Sequence, residues 1–284
     1  MRNRSSILVS MNKLNKEKQV QVIASLVEGN SIRATVRMTG VAKNTVTNLL
    51  IDVGRACEKY HNEIMVNLPC KRIQVDEIWS FCYAKQKNVP EELKGKFGYG
   101  DVWTWIAIDP DTKLVPSWMV GGKGSYWAKR FMADLAARMA NRIQLTTDAY
   151  TAYYEAVWKA FNDDVDYAQL MKSFGPDWNL EGKYSPNTLL AAIPRPMIGC
   201  PERKHISTSH IERQNLTVRM QLRRFTRLTN GFSKKIENLN WAVALHFLHY
   251  NFCRIHQTLR MTPAMKAGIT DHLWEIEDII KLLS

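Results

Sequence analysis

Lys71–Ala84 reads KRIQVDEIWSFCYA, and the period of its apolar residues decides the fold. Ile73, Val75, Trp79, Phe81 and Tyr83 fall on alternate positions, the two-residue repeat of a strand, whereas the residues before Lys71 repeat at helical spacing. Downstream, DVWTWIAID (101–109), the turn PDTK (110–113) and LVPSWMVGG (114–122) predict a hairpin of two further strands. SYWAKRFMADLAARMAN (125–141) predicts a helix, with Trp127, Phe131 and Leu135 at i, i+4 and i+8, and RIQLTTD (142–148) a fourth strand. Three strands, a helix and a fourth strand imply a mixed sheet with a crossover, an α/β (α+β) domain. Between hairpin and helix, GGKGS (121–125) lacks the spacing of a phosphate loop and reads as a strand-to-helix turn.

Upstream, Asn15 can cap a helix that buries Val20, Ile23 and Val27 and ends at Gly29. Ser31 and Gly40 bracket a second, shorter one. After a tight turn, Val46, Leu49, Leu50, Val53 and Cys57 form the apolar stripe of a third helix, with Lys43, Asn44, Thr45, Thr47 and Asn48 at its leading end. Three helices with a tight second turn and a polar leading edge are the pattern of a helix-turn-helix. Charge agrees. Residues 1–50 hold eight Lys and Arg against two acids, and residues 203–235 nine against one, within a chain of net charge +12. Two concentrated basic segments are the footprint of a polyanion-binding protein, and duplex DNA is the partner they imply.

Asp76 lies mid-strand in the first strand and Asp148 ends the fourth. If those strands are neighbours, their carboxylates approach each other, and two buried like charges need a counter-charge that a divalent cation supplies best. HISTSHIERQNLTVRMQLRRFTRL (205–228) offers a third acid, Glu212, in a run with Arg213, Arg219, Arg223, Arg224 and Arg227. An acid among arginines suits metal binding beside phosphate contacts. Spacing alone leaves the other reading equally open, in which Asp148 caps the next helix and Glu212 pairs with an arginine. Along the first strand, Asp76 shares a polar face with Gln74 and Ser80, and Glu77 an apolar one with Val75 and Trp79.

The stretches VDEIWSF, TTDAYTAY, HIERQNLTVR, RRFTRLTNGFSKK and HYNFCRIHQTLRMTPAM, in this order between about Arg72 and Gly268, resemble the DDE transposases of the bacterial insertion-sequence-one (InsB-type) family. The resemblance implies a ribonuclease-H-like catalytic domain over residues 71–268, preceded by the helix-turn-helix domain (1–60) and a linker (61–70) and followed by a tail (269–284). It implies an acidic triad of Asp76, Asp148 and Glu212, catalytic and metal-ligating, holding two Mg²⁺ ions with Mn²⁺ as a substitute. The implied activity is cleavage of DNA strands at the element's ends and their transfer to target DNA. Expected partners are the terminal inverted repeats, the target duplex and further copies of the chain. Lys43, Asn44, Thr45, Thr47, Asn48, Arg213, Arg219, Arg223, Arg224, Arg227, Lys234 and Lys235 are the expected DNA contacts. The sequence departs from the family in lacking a Cys-rich zinc element, and about residues 160–200 read as an insertion between the second and third acids.

Other features bound the reading. Five dispersed cysteines with no CxxC pair fit neither a disulfide framework nor a zinc site. No apolar run reaches the ~18 residues of a membrane span, and the apolar stretch near the start is too short for a signal peptide, so the expected location is cytoplasmic, with the nucleoid. His246 and His249 lie in a helix that is apolar nearly all round and read as core; Asn251, Arg254 and His256 read as supporting residues. Two other classes stand beside the transposase: a transcriptional regulator, which has no use for strand-centre acids or a second basic block, and a catalytically silent DNA-binding relic.

Overall fold

Helices come first in the chain, as their caps dictate. The computed structural model describes residues 14–175, 188–227 and 229–283. Helix α1 (Lys16–Val27) begins where Asn15 Oδ1 accepts the Lys18 N–H at 2.9 Å, and α2 (Ile32–Thr39) where Ser31 Oγ accepts that of Ala34 at 3.1 Å. Gly40 then adopts φ 71°, the left-handed conformation that glycine reaches without a side-chain penalty, and α3 (Lys43–Ile64) follows at once. The helix runs on through the first part of the stretch expected as a linker. It does so because its end is anchored: His61 is buried and its Nε2 lies 3.0 Å from the Pro116 carbonyl.

The sheet is built from β1 (Arg72–Cys82), β2 (Gly100–Ile108), β3 (Ser117–Gly121), β4 (Ile143–Asp148), β5 (Val165–Gly175) and β6 (Thr188–Ile198), in the order β3-β2-β1-β4-β5-β6. β1, β2 and β3 pair antiparallel, while β4 joins β1 in parallel and β5 joins β4 in parallel. This is a mixed sheet with crossover helices, the α/β (α+β) architecture expected from the sequence. The crossovers are α4 (Ser125–Arg138) between β3 and β4, and α5 (Ala152–Phe161) between β4 and β5. Two side chains on facing elements fix one layer: Trp105 of β2 is fully buried against Phe131 of α4 and Tyr153 of α5.

Residues 165–175 fall in the range expected as an insertion, yet they form β5, which pairs with every residue of β4. Their polar run and lack of clean alternation hid the strand, because β5 is buried mainly over Val165–Leu170. Residues 176–187 of that range lie outside the described residues.

The remaining helices are α6 (Ser209–Gln221), α7 (Ile236–Phe252), α8 (Pro263–Lys266) and α9 (Ile276–Lys281). α7 is apolar all round and buried on most sides. Phe247 stacks on Trp118 of β3, and fully buried Asn251 exchanges two hydrogen bonds with the Val115 backbone, at 3.0 and 2.9 Å. Burial holds His246 and His249 neutral, their pKa values lowered to about 3 and about 4.

The N-terminal helices do not stand apart from this assembly. α3 packs along α7, and α9 against α1 and α3, so one apolar core runs from Val22 to Ile280. Gly54 makes the α3–α7 contact possible: a Cβ there would lie 2.5 Å from the Cβ of Trp241. Arg55 lies over the Trp241 ring at 5.5 Å, and Asn240 donates to Glu58 at 3.0 Å. No helix among the described residues is long and apolar enough to cross a membrane. Gly54→Val should therefore force the two helices apart and destabilise the protein by about 1–3 kcal/mol, the usual cost of overpacking. A fall in the midpoint of thermal denaturation checks this.

Candidate active site

The parallel pairing of β1 with β4 decides where the acids go. Its register sets Gln74 opposite Thr146 and Val75 opposite Thr147, so Asp76 and Asp148 follow together at the end of β4. Both line an open cavity of about 390 Å³, with Glu212, Thr208, Lys172 and Leu170 on its other walls. The three acids expected from the sequence thus converge from a strand centre, a strand end and a helix.

The third acid is positioned by the first strand itself. Gln74 is buried, and its Oε1 accepts the N–H groups of His210 (2.9 Å) and Ile211 (3.1 Å) at the start of α6. Those donors have no partner within the helix, so a β1 side chain completes the helix end. Two residues on, on the same face of β1, stands Asp76. Its Oδ2 accepts from Asn215 Nδ2 at 2.8 Å and its Oδ1 from the Glu77 N–H at 2.9 Å. Glu212, Asn215 and Arg219 lie at i, i+3 and i+7 on α6 and so share the face turned to β1. The Asp76 charge acts on Arg219, whose pKa is lowered first by burial, then by Arg227, and raised in part by Asp76.

Electrostatics mark the site. Burial pushes the pKa of Asp76 up to about 7, with Glu77, Asp148 and Glu212 adding to the effect. Asp148 Oδ1 accepts the Tyr150 N–H at 3.0 Å, so this acid both tightens the turn before α5 and faces the cavity. Glu212 Oε1 accepts from Thr208 Oγ1 at 2.6 Å and pairs closely with Lys172 Nζ. Glu77 points to the other face of the sheet, where Tyr153 donates to its Oε2 at 2.6 Å and Lys123 stands 4.0 Å from Oε1. The pKa of Glu77 is also raised, chiefly by burial.

Among the described residues, no group of three His, Cys, Asp or Glu side chains closes tightly enough around one point to hold an ion. Glu212 is turned to Lys172 and Thr208 instead. The donor set nevertheless suits a hard divalent cation, with carboxylate oxygens as the ligands.

Of the expected DNA contacts, Lys43, Asn44, Thr45 and Asn48 are exposed at the leading end of α3, and Thr47 is half-buried, its hydroxyl bonded back to the Lys43 carbonyl. Arg213, Arg227, Lys234 and Lys235 are exposed, and Arg223 is half-buried. Arg224 is directed inward. Its Nε donates to Ser233 Oγ at 2.7 Å, its side chain lines a small cavity with Leu26, Leu50 and His246, and burial lowers its pKa to about 10. A tight turn at Arg223–Phe225, which buries Phe225, accounts for this direction. His205 and His210 lie against Arg72 and Lys113. Sequence reasoning missed Lys172, Thr208, Asn215 and the cap made by Gln74; only Asn215 carried a signal, its helical spacing from Glu212.

No known family model matches the chain, and no curated protein matches it. Among solved structures it is similar to a piggyBac transposase synaptic complex with hairpin DNA, at 11% identity over 99% of this chain and 73% of that one, with a TM-score of 0.40. It is also similar to a pre-cleavage Mos1 transpososome (9% identity, 55% of this chain, 60% of that chain, TM-score 0.22). A Mos1 mariner paired end complex with Mn is similar at 9% identity, 57% and 61% coverage and a TM-score of 0.20. The chain spans about three-fifths of the length of the Mos1 chains. At such TM-scores the similarity supports no conclusion about site or activity.

Two outcomes check the geometry. Gln74→Leu leaves two helix-end N–H groups buried without an acceptor and should cost about 1–3 kcal/mol in urea denaturation. For Asp76, the folded-state pKa of about 7 lies above the ordinary 3.8, so its favourable contribution is full below about pH 4 and is lost as pH rises through 7. Metal-free protein should lose stability over that window, and Asp76→Asn should flatten the dependence.

Proposed function

We propose that the chain is a DDE-type transposase of the insertion-sequence-one (InsB-type) family, which binds the ends of its element and cuts and joins DNA strands there. The observation that carries this reading is the convergence of Asp76, Asp148 and Glu212, from three separate elements, on one open cavity. A regulator gains nothing from a strand-centre carboxylate buried at such cost beside two further acids on one cavity, and a relic has no reason to keep them supported by Asn215 and Gln74.

In this reading Asp76, Asp148 and Glu212 hold two Mg²⁺ ions, with Mn²⁺ as a substitute. The bound ions would activate the attacking water or 3′-hydroxyl and stabilise the leaving 3′-oxygen. Asn215 keeps the Asp76 carboxylate turned toward the cavity. Arg219, next to it on α6, offers a positive charge to the scissile phosphate. Lys172 holds Glu212 and keeps its own charge at the cavity wall. Residues 1–60 bind the terminal repeats through the exposed leading end of α3, residues 71–268 carry the chemistry, and Arg213, Arg223, Arg227, Lys234 and Lys235 grip backbone phosphates. Copies of the chain assemble on the paired ends and engage the target duplex.

A nicking assay on duplexes carrying the element's ends tests this. Asp76→Asn, Asp148→Asn and Glu212→Gln should each abolish Mg²⁺-dependent cleavage while end binding persists, and chelation with EDTA should do the same to the wild type. Glu77→Gln should keep measurable cleavage. Full activity in Asp76→Asn beside none in a well-folded Glu77→Gln would overturn the assignment. For binding, Lys43→Ala or Asn48→Ala should erase the preference for terminal repeats over random duplex. Arg223→Ala should weaken all sequences alike and flatten the salt dependence by about 1 in slope.

A further inference from the structure

The turn at Gly121–Ser125, which supplies none of the three acids on the cavity, underlies a cluster of rings. Trp127 lies on bare backbone: a Cβ at Gly121 or Gly122 would come within 2.5 Å of the indole. Phe97 and Tyr126 flank it, with ring centroids 4.9 and 5.2 Å away. These flanking rings are open to solvent, Tyr126 at 63% and Phe97 at 51% exposure, although Trp105 and Phe131 nearby are wholly buried. Two cations sit over rings. The Arg130 guanidinium is 5.7 Å from both Tyr126 and Trp127, and Lys123 Nζ is 4.8 Å from Tyr150 and 5.7 Å from Trp103.

The cluster adjoins the acids. Tyr150, whose ring carries Lys123, donates its N–H to Asp148, and Lys123 stands 4.0 Å from Glu77.

We infer that this face is a binding site for single-stranded DNA, taking unpaired bases of a strand that enters or leaves the acidic cavity. The inference deepens the transposase reading and rests on it for the source of the strand. Exposed ring faces interleaved with cations are what an unpaired strand requires, since bases stack on the rings while Arg and Lys meet its phosphates. A duplex keeps its bases stacked internally and offers these rings nothing beyond its backbone. A protein partner would be served by the rings alone, without Arg130 over Tyr126 and Trp127 or Lys123 over Tyr150 and Trp103.

The test uses the full chain in EDTA, so that cleavage plays no part in the readout, with a short oligothymidine followed by tryptophan quenching and by anisotropy. Wild type should bind it with quenching. Phe97→Ala/Tyr126→Ala, exposed positions whose loss circular dichroism should show to be tolerated, should bind at least roughly five-fold more weakly. Phe97→Tyr/Tyr126→Phe should restore binding, and affinity for terminal-repeat duplex should be the same in all three. Undiminished oligothymidine binding by the folded double alanine variant would overturn the site, as would absence of binding by the wild type. Self-association of the wild type that the alanine variant loses, with oligothymidine binding unaltered, would assign the face to a second copy instead. Failure of the nicking assay, by contrast, overturns the transposase reading and leaves this measurement intact.

Discussion

Carboxylates that repel one another are the constraint around which the molecule is arranged. Asp76 and Asp148 come together because β4 ends beside the middle of its parallel neighbour β1, and Glu212 is brought to the same cavity from a helix distant in sequence. Burial first, and then repulsion from Glu77, Asp148 and Glu212, lifts the Asp76 pKa to about 7. A fold keeps such an arrangement only if its frame resists spreading, and the frame does so on both faces of β1. On one face Asn215 and Gln74 bind β1 to α6; on the other the Tyr153 hydroxyl binds Glu77 to α5. The same polarity explains the cations at the margin, where Lys172 and Lys123 approach the acids without entering between them.

Much of this was legible in the sequence, for reasons that can be named. The strand at Lys71–Ala84, the hairpin 101–122 and the caps Asn15, Ser31 and Gly40 are local signals that survive folding, but beyond Glu77 the buried side of that strand is Ile78, Ser80 and Cys82 rather than the expected Trp79, Phe81 and Tyr83. Asp76 and Asp148 stood out because carboxylates are costly inside strands. Glu212 stood out against its arginines. Three things were illegible. β5 lacks alternation because only its first half is covered. Gln74 reaches the start of α6 across 136 residues of chain and Lys172 reaches Glu212 across 40, and no periodicity reports such pairs. The inward turn of Arg224 depends on a tight turn whose residues look like the rest of the basic run.

Tertiary packing also redrew the boundaries that composition suggests. The charge of residues 1–50 sets them apart from the strands and helices after them, but their apolar stripes are completed by α7 and α9 rather than by one another alone. Helices this short gain most of their stability from the faces they bury. The N-terminal helices and the sheet therefore share one core while differing in charge, and in the proposed function charge is the property that meets DNA.

The close seat of Gly54 on Trp241 carries a mechanical consequence. α3 has its exposed leading end at Lys43 and its far end at His61, pinned to Pro116, while α7, to which it is locked, holds the Val115 backbone through Asn251. Among the described residues, the tip of α3 and the acidic cavity are thus joined through interlocked helices and strands. Under the proposed function the molecule acts as a caliper. One jaw grips a sequence, the other holds the phosphate to be cut, and the packed span between them sets the number of base pairs that separate recognition from cleavage.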